Sequence, residues 1–144
     1  MPSSPRRSSP LERRSTDPFA SLFGDDSRRS GDRWRPAVDV FETEKAVVVR
    51  VEVAGVRNAD LRVSVERDLL CVRGVRSQPS TSEDVLRHHQ LEIEQGPFEA
   101  RVRLPAVIER SQVAANLEEG VLTVRMPKRA PRRIEVQRSS DEDA

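Results

Sequence analysis

The sequence predicts an all-β protein, an antiparallel β-sandwich with an unpacked extension at each end. Three observations carry that prediction. Between Arg35 and Lys128 the apolar residues recur with period two, in short runs broken by Gly and Pro. The flanks lack that period: residues 1–35 are rich in Ser, Pro and Arg, and residues 129–144 close on RSSDEDA. The apolar supply is also thin, with 35% hydrophobic against 34% charged residues in a chain of 144, enough for one small core plus extensions.

In the N-terminal segment one stretch stands out, Asp17-Pro18-Phe19-Ala20-Ser21-Leu22-Phe23-Gly24. Asp17 suits an N-cap, Pro18 the first helical position and Gly24 the stop. Phe19, Leu22 and Phe23 then share one helical face. A helix over 17–24 is too short to persist alone, so it reads as an apolar, intermittently helical arm. It can cover its own sandwich, contact a neighbour, or bind other proteins.

The strands follow in order. Val38, Val40 and Phe41 open the set. The β-branched run from Lys45 to Ala54 ends at Gly55. Leu61, Val63 and Val65 alternate with polar residues, a half-buried strand with one wet face. Leu69–Val72 is expected to stop at Gly74. Phe98, Ala100, Val102 and Leu104 alternate with Glu99, Arg101 and Arg103 before Pro105. Ala115 and Leu117 precede Gly120, and Val121–Val124 closes the sandwich before Met126-Pro127.

Two features fit no simple sandwich. The connection from Arg76 to Pro97 is longer than compact domains usually carry. Its first part, SQPSTSED, is loop-like; its second, Val85-Leu86-Arg87-His88-His89-Gln90-Leu91-Glu92-Ile93, alternates like a strand of poor apolar density. A strand on so long a loop can pair with another subunit's edge. The second feature is Ile134-Glu135-Val136, two β-branched side chains pointing the same way in a tail with no core of its own. By itself the island reads either as a last strand on its own sheet or as a peg for a neighbour.

The formal net charge of +1 gives no global field for nucleic acid or an acidic substrate. No apolar run approaches the roughly 18 residues of a membrane span, and the N-terminus lacks a secretory apolar region. The single cysteine, Cys71, cannot form an internal disulfide, which fits a reducing compartment, most simply the cytoplasm. Cys71 reads as a small buried hydrophobe. His88 and His89 are adjacent, so on a strand they face opposite ways and do not grip one ion. No phosphate-binding GxxxxGK[ST] loop is present, and no catalytic, cofactor-binding or metal site is expected.

Five pieces, in order, resemble the small heat-shock proteins, which carry the α-crystallin domain. Trp34-Arg-Pro-Ala-Val-Asp-Val-Phe-Glu-Thr43 looks like the opening strand. Val53-Ala54-Gly55-Val56 followed by Asp60–Glu66 resembles the next passage, with Ala54 where Pro is usual. Gly96–Pro105 resembles the strand ending in Leu-Pro. Ala115–Lys128 resembles the signature Ala-x-x-x-Asn-Gly-Val-Leu-x-Val-x-x-Pro-Lys, with Glu119 in the Asn place. Ile134-Glu135-Val136 has the Ile-x-Ile/Val tail form. One departure stands out: Ala100 occupies the position where the family usually has an arginine, and Arg101 lies one step along, on the other face.

The resemblance implies an immunoglobulin-like α-crystallin sandwich over 36–128, a flexible arm over 1–35 and a C-terminal extension over 129–144. It implies an ATP-independent chaperone, not an enzyme, whose partners are itself, as dimers within a larger homo-oligomer, and unfolding client proteins. Residues Val85–Ile93 would be exchanged within the dimer. Ile134 and Val136 would dock in a neighbour's groove lined by Val63, Val65, Ala115 and Leu117. Leu11, Phe19, Leu22, Phe23 and Trp34 would supply adaptable apolar contacts to clients. No membrane partner is expected. Two alternatives stand beside this reading. One is nucleic-acid binding through the arm, where eight arginines against five acidic residues leave a surplus of three positive charges. The other is a monomeric co-chaperone adaptor on the same sandwich.

Overall fold

A computed structural model describes residues 33–138, and these form the expected sandwich. Seven strands run β1 (Val38–Glu42), β2 (Ala46–Glu52), β3 (Leu61–Glu66), β4 (Leu69–Arg76), β5 (Gly96–Arg103), β6 (Ala114–Glu118) and β7 (Val121–Pro127). One antiparallel sheet has the order β1-β2-β7-β6, the other β3-β4-β5. Single 3-10 turns at Asn58–Asp60 and Arg110–Gln112 are the helical elements among the described residues.

The period-two pattern explains the core. Val47, Val49 and Val51 of β2 with Leu122, Val124 and Met126 of β7 face Leu70 and Val72 of β4 and Phe98, Ala100 and Val102 of β5. All are buried, and the residues between them point out. The chain changes sheets twice. After β2 it turns at Ala54-Gly55, where Gly55 has a φ of 76°. After β5 it crosses over through residues 104–113, burying Leu104 and Ile108.

Three details depart from the sequence reading. The fourth strand does not stop at Gly74 but runs through it to Arg76. Gly74 is opposite Phe98 in the β4–β5 register, and its missing side chain makes room for that ring. Cys71 is not a core residue. Its neighbours Leu70 and Val72 are fully buried, so strand alternation turns the half-buried thiol to the outer face. The last strand continues past Val124 through buried Met126 to Pro127.

Trp34 also differs from its expected place in a flexible arm. Its backbone bridges β5, donating N–H to the Pro97 carbonyl (3.2 Å) and accepting from Glu99 N–H (3.1 Å). The indole Nε1 donates to the Gly96 carbonyl at 3.1 Å, and the ring packs 4.9 Å from Phe98. The Arg76 guanidinium lies 4.4 Å from the centre of the same ring. A side chain held on this many sides belongs to the sandwich.

Candidate functional site

Trp34 settles which sheet edges lie together. The chain covers the free edge of β5 at Trp34 and enters β1 at Val38, so the β1 and β5 edges share one side. The β3 and β6 edges therefore share the other. Along that second side the register fixes where side chains point. Val63 and Val65 pair with the buried Val72 and Leu70, and Ala115 and Leu117 pair with the buried Val124 and Leu122. All four thus face inward. Yet Val63, Val65 and Leu117 are only half-buried and Ala115 is exposed, because β3 and β6 each pair on one side alone. An inward-facing apolar row left uncovered is a slot. The four residues expected to line a groove do come together on one side of the sandwich.

The opposite side has a gap of its own. Val40 pairs with fully buried Val49 and so faces inward, but it is 45% exposed because no described residue covers the β1 edge. Edge status is invisible in sequence, and Val40 had read simply as a strand residue. The Arg50 guanidinium sits 5.0 Å from the Phe41 ring on the outer face of this sheet.

Two segments carry apolar residues that no described residue covers. The expected exchanged strand, Val85–Ile93, forms no strand within the described chain. Val85, Leu86, Leu91 and Ile93 are exposed, Leu86 at 97%. Arg87, His88, His89, Gln90 and Glu92 are exposed with them. Its alternate positions Val85, Leu91 and Ile93 would share one face if the segment were extended. The tail is alike: Ile134 is 83% and Val136 86% exposed, and residues 129–138 add no strand to either sheet. Leu11, Phe19, Leu22 and Phe23 lie outside the described residues.

The tail's exit is fixed, a feature the sequence did not signal. Lys128 bridges Ile108, its N–H donates to the Lys45 carbonyl at 2.9 Å, and its ammonium pairs with Glu42. Glu109 N–H donates to the Pro127 carbonyl and Arg129 N–H to the Val107 carbonyl, at 2.8 and 2.9 Å. The chain is held as far as Arg129 and leaves the sandwich there.

The outer face of the three-stranded sheet carries a charged cluster in which Ala100 takes no part. Ala100 is fully buried beside Phe98, whereas Arg101 points out and pairs with Glu99. Glu99 also takes Arg33 and Arg73, each at 2.7 Å. Burial pushes the Glu99 carboxyl up, but hydrogen bonds and charge from Arg101 and Arg73 outweigh it and hold the group below its ordinary value. Burial raises the nearby Cys71 thiol, only partly offset by Arg73 and Arg101. A raised, half-buried thiol is a poor nucleophile. Among the described residues no group of three or more His, Cys, Asp and Glu could hold a metal ion. No helix among them is long and apolar enough to cross a membrane.

Open edges and exposed apolar segments on a seven-stranded sandwich agree with what comparison finds. The profile of the Hsp20/alpha crystallin family matches residues 39–139. The chain belongs to that family. Among its relatives is the 16.9 kDa class I heat shock protein 1 of Triticum aestivum, 37% identical over 135 residues, covering 83% of this chain and 89% of that one. Among solved structures, a small heat-shock protein from Xylella fastidiosa aligns with a TM-score of 0.61 at 31% identity, covering 74% of this chain and 99% of that one. Heat shock protein 16.0 from Schizosaccharomyces pombe aligns with a TM-score of 0.60 at 27% identity, covering 73% and 100%. The sandwich is thus an α-crystallin domain, and this small heat-shock protein shares the family's general role as a chaperone.

Proposed function

We propose that this small heat-shock protein is an ATP-independent holdase that works as a dynamic homo-oligomer, capturing unfolding proteins before they aggregate. The observation that carries the reading is a match of supply and demand on one subunit. Edge strands on two sides of the sandwich leave inward-facing Val40, Val63, Val65 and Leu117 partly uncovered, while two strandless segments expose Val85, Leu91, Ile93, Ile134 and Val136. Each segment has the period-two apolar pattern that an open edge accepts.

In this reading Val85–Ile93 of one subunit adds to the β1 edge of another and covers Val40. Ile134 and Val136 enter a neighbour's slot between β3 and β6. Burying the two tail side chains gains roughly 3–6 kcal/mol gross. Ordering residues 130–133 and losing free association offset a comparable amount. One tail therefore binds weakly and exchanges often, while several docked together hold through effective concentration. A departing tail opens a slot that an unfolding chain can occupy. The relative from Xylella fastidiosa is described as forming a distinct high order structure, which supports assembly as the working state. The arm residues Leu11, Phe19, Leu22 and Phe23 supply further apolar contacts, and the charged closing segment keeps the assembly soluble. With its single cysteine the protein suits the reducing cytoplasm.

The test compares the full chain with Ile134→Ala/Val136→Ala by native mass spectrometry, alongside aggregation of a heated client without ATP. The double variant is expected to fall to small species, chiefly dimers. An unchanged mass distribution would mean that the tail does not hold the assembly. Failure of the parent protein to slow client aggregation without ATP would remove the holdase reading.

A further inference from the structure

The crossover from β5 to β6 borders a cavity of about 660 Å³, within the roughly 300–1,000 Å³ that small-molecule sites occupy. Hydrogen bonds pin the crossover on both flanks. Leu104 N–H donates to the Asp68 carbonyl of the β3–β4 turn at 2.7 Å, and the Val107 carbonyl accepts from Arg129 N–H at 2.9 Å just past β7. Backbone held by backbone makes the frame a preformed one. Part of the lining is apolar: Leu104 and Ile108 are buried, Ala106 is half-buried, and Val107 is 68% exposed. Val63, Val65, Ala115 and Leu117 do not line this cavity, so it is distinct from the slot.

Five charged residues share the cavity wall with those apolar groups. Both carboxylates are engaged. Asp68 accepts from Arg103 at 2.8 Å, while Glu109 accepts from the Ser111 hydroxyl at 3.0 Å and has Arg129 at 3.9 Å. Arg67 and Arg110 are exposed and have no hydrogen-bond or ion-pair partner among the described residues. Three guanidiniums against two carboxylates leave a surplus of one positive charge.

Arg67 also stands where arginine is unfavourable. Its φ is 55°, the left-handed region, in the two-residue turn between Glu66 and Leu69. Glycine or asparagine takes that conformation at little cost, whereas a long side chain is strained there. A strained cation on a cavity wall points to a use for its charge.

We propose that this cavity binds a single-chain fatty carboxylate, its head paired with Arg67 and Arg110 and its chain lying on Leu104, Ala106, Val107 and Ile108. A guanidinium fork matches a carboxylate. One negative charge cancels the surplus, whereas a phosphate dianion overshoots it and a small inorganic anion leaves the apolar lining unused. Each methylene buried against that lining adds to the affinity. The bound head also ties the β3–β4 turn to the crossover, so the ligand stabilises the folded subunit. The site is independent of how the tail docks.

Isothermal titration calorimetry of the full-length protein tests it, with decanoate below its micelle concentration as the probe. Acetate supplies the head alone, and decyltrimethylammonium the same chain with a cationic head. Decanoate is expected to bind at about one per subunit, and the other two at least about tenfold more weakly. Arg67→Asn/Arg110→Gln should weaken decanoate by at least about tenfold with an unaltered circular dichroism spectrum. Arg67→Asn alone should raise the unfolding midpoint, by relieving the turn, and yet lower the affinity; a general loosening of the fold does not give that combination. Val107→Asp, at an exposed position, should also weaken decanoate while the fold persists. Equal binding of the ammonium, an affinity for decanoate unchanged in the double variant, or no decanoate binding to the parent protein would each overturn the site.

Discussion

Gly74 and Phe98 face each other across β4 and β5, and a Cβ built on Gly74 would lie 2.3 Å from the Phe98 Cζ atom. The Asp60 carbonyl, 2.8 Å from the same point, closes the other escape. Phe98 is fully buried and also supports Trp34, so the ring has no free direction in which to move. Gly74→Ala is expected to destabilise the subunit by about 3 kcal/mol, the upper range for overpacking. Thermal unfolding followed by circular dichroism measures it. Adding Phe98→Leu should return part of the loss, a less-than-additive pair that marks direct contact. Strict additivity would mean that the glycine serves another purpose.

That pair also shows where sequence reading stops. The alternation along Leu61–Glu66 and Phe98–Leu104 was legible because each strand buries one face and wets the other. Gly74 was misread as a stop because its purpose depends on Phe98, which lies beyond the long loop and meets it only through register. Cys71 was misread because it stands in the unbroken apolar run Leu69–Val72, which masks which face is inward. Trp34 sits in a stretch of Arg and Pro that reads as unpacked, and its bond to β5 is a long-range contact. Val63, Val65, Ala115 and Leu117 were named together through family resemblance. What sequence could not supply is that β3 and β6 are edges on the same side, since edge status is a property of topology.

The β6–β7 hairpin is closed by Glu119 and Gly120, with φ of 50° and 78°. Positive φ at both central residues is the geometry that favours Asn-Gly. Glycine bears it without strain, while glutamate incurs a steric cost that asparagine largely avoids. Glu119→Asn is expected to stabilise the subunit by about 0.5–1 kcal/mol. The same unfolding measurement would then show a midpoint a few degrees higher. An unchanged or lowered midpoint would mean that Glu119 makes a compensating contact.

Glu99 accepts Arg33, Arg73 and Arg101, and its side chain is 13% exposed. Its carboxyl is held below the ordinary glutamate value in the folded protein. The unfolded chain therefore takes up this proton first as pH falls. The stabilisation is fully present above the ordinary value and is lost as pH drops through the lower folded value. Glu99→Gln should lower the unfolding midpoint by several degrees at neutral pH, because it removes the carboxylate shared by three guanidiniums. The gap between variant and parent should close as pH is taken below the ordinary glutamate range. A gap independent of pH would point to packing rather than charge.

Val85 and Leu91 are 56% and 72% exposed, and on an extended chain they point the same way. Within one subunit they contribute little, so Val85→Asp/Leu91→Asp should leave subunit stability within about 0.5 kcal/mol. Against a partner's β1 edge the same positions would be buried. Losing two such side chains removes roughly 3–6 kcal/mol of association, and two buried carboxylates add to the loss. At 1.4 kcal/mol per tenfold, the dimer should weaken by about two to four orders of magnitude. Analytical ultracentrifugation should therefore show monomers, while far-ultraviolet circular dichroism shows an unaltered sandwich. Val40→Asp on the accepting edge should produce the same dissociation, because either half of one contact breaks it. A dimer that survives Val85→Asp/Leu91→Asp but not Val40→Asp would assign the edge to another segment. Survival of both would remove this edge from the subunit interface.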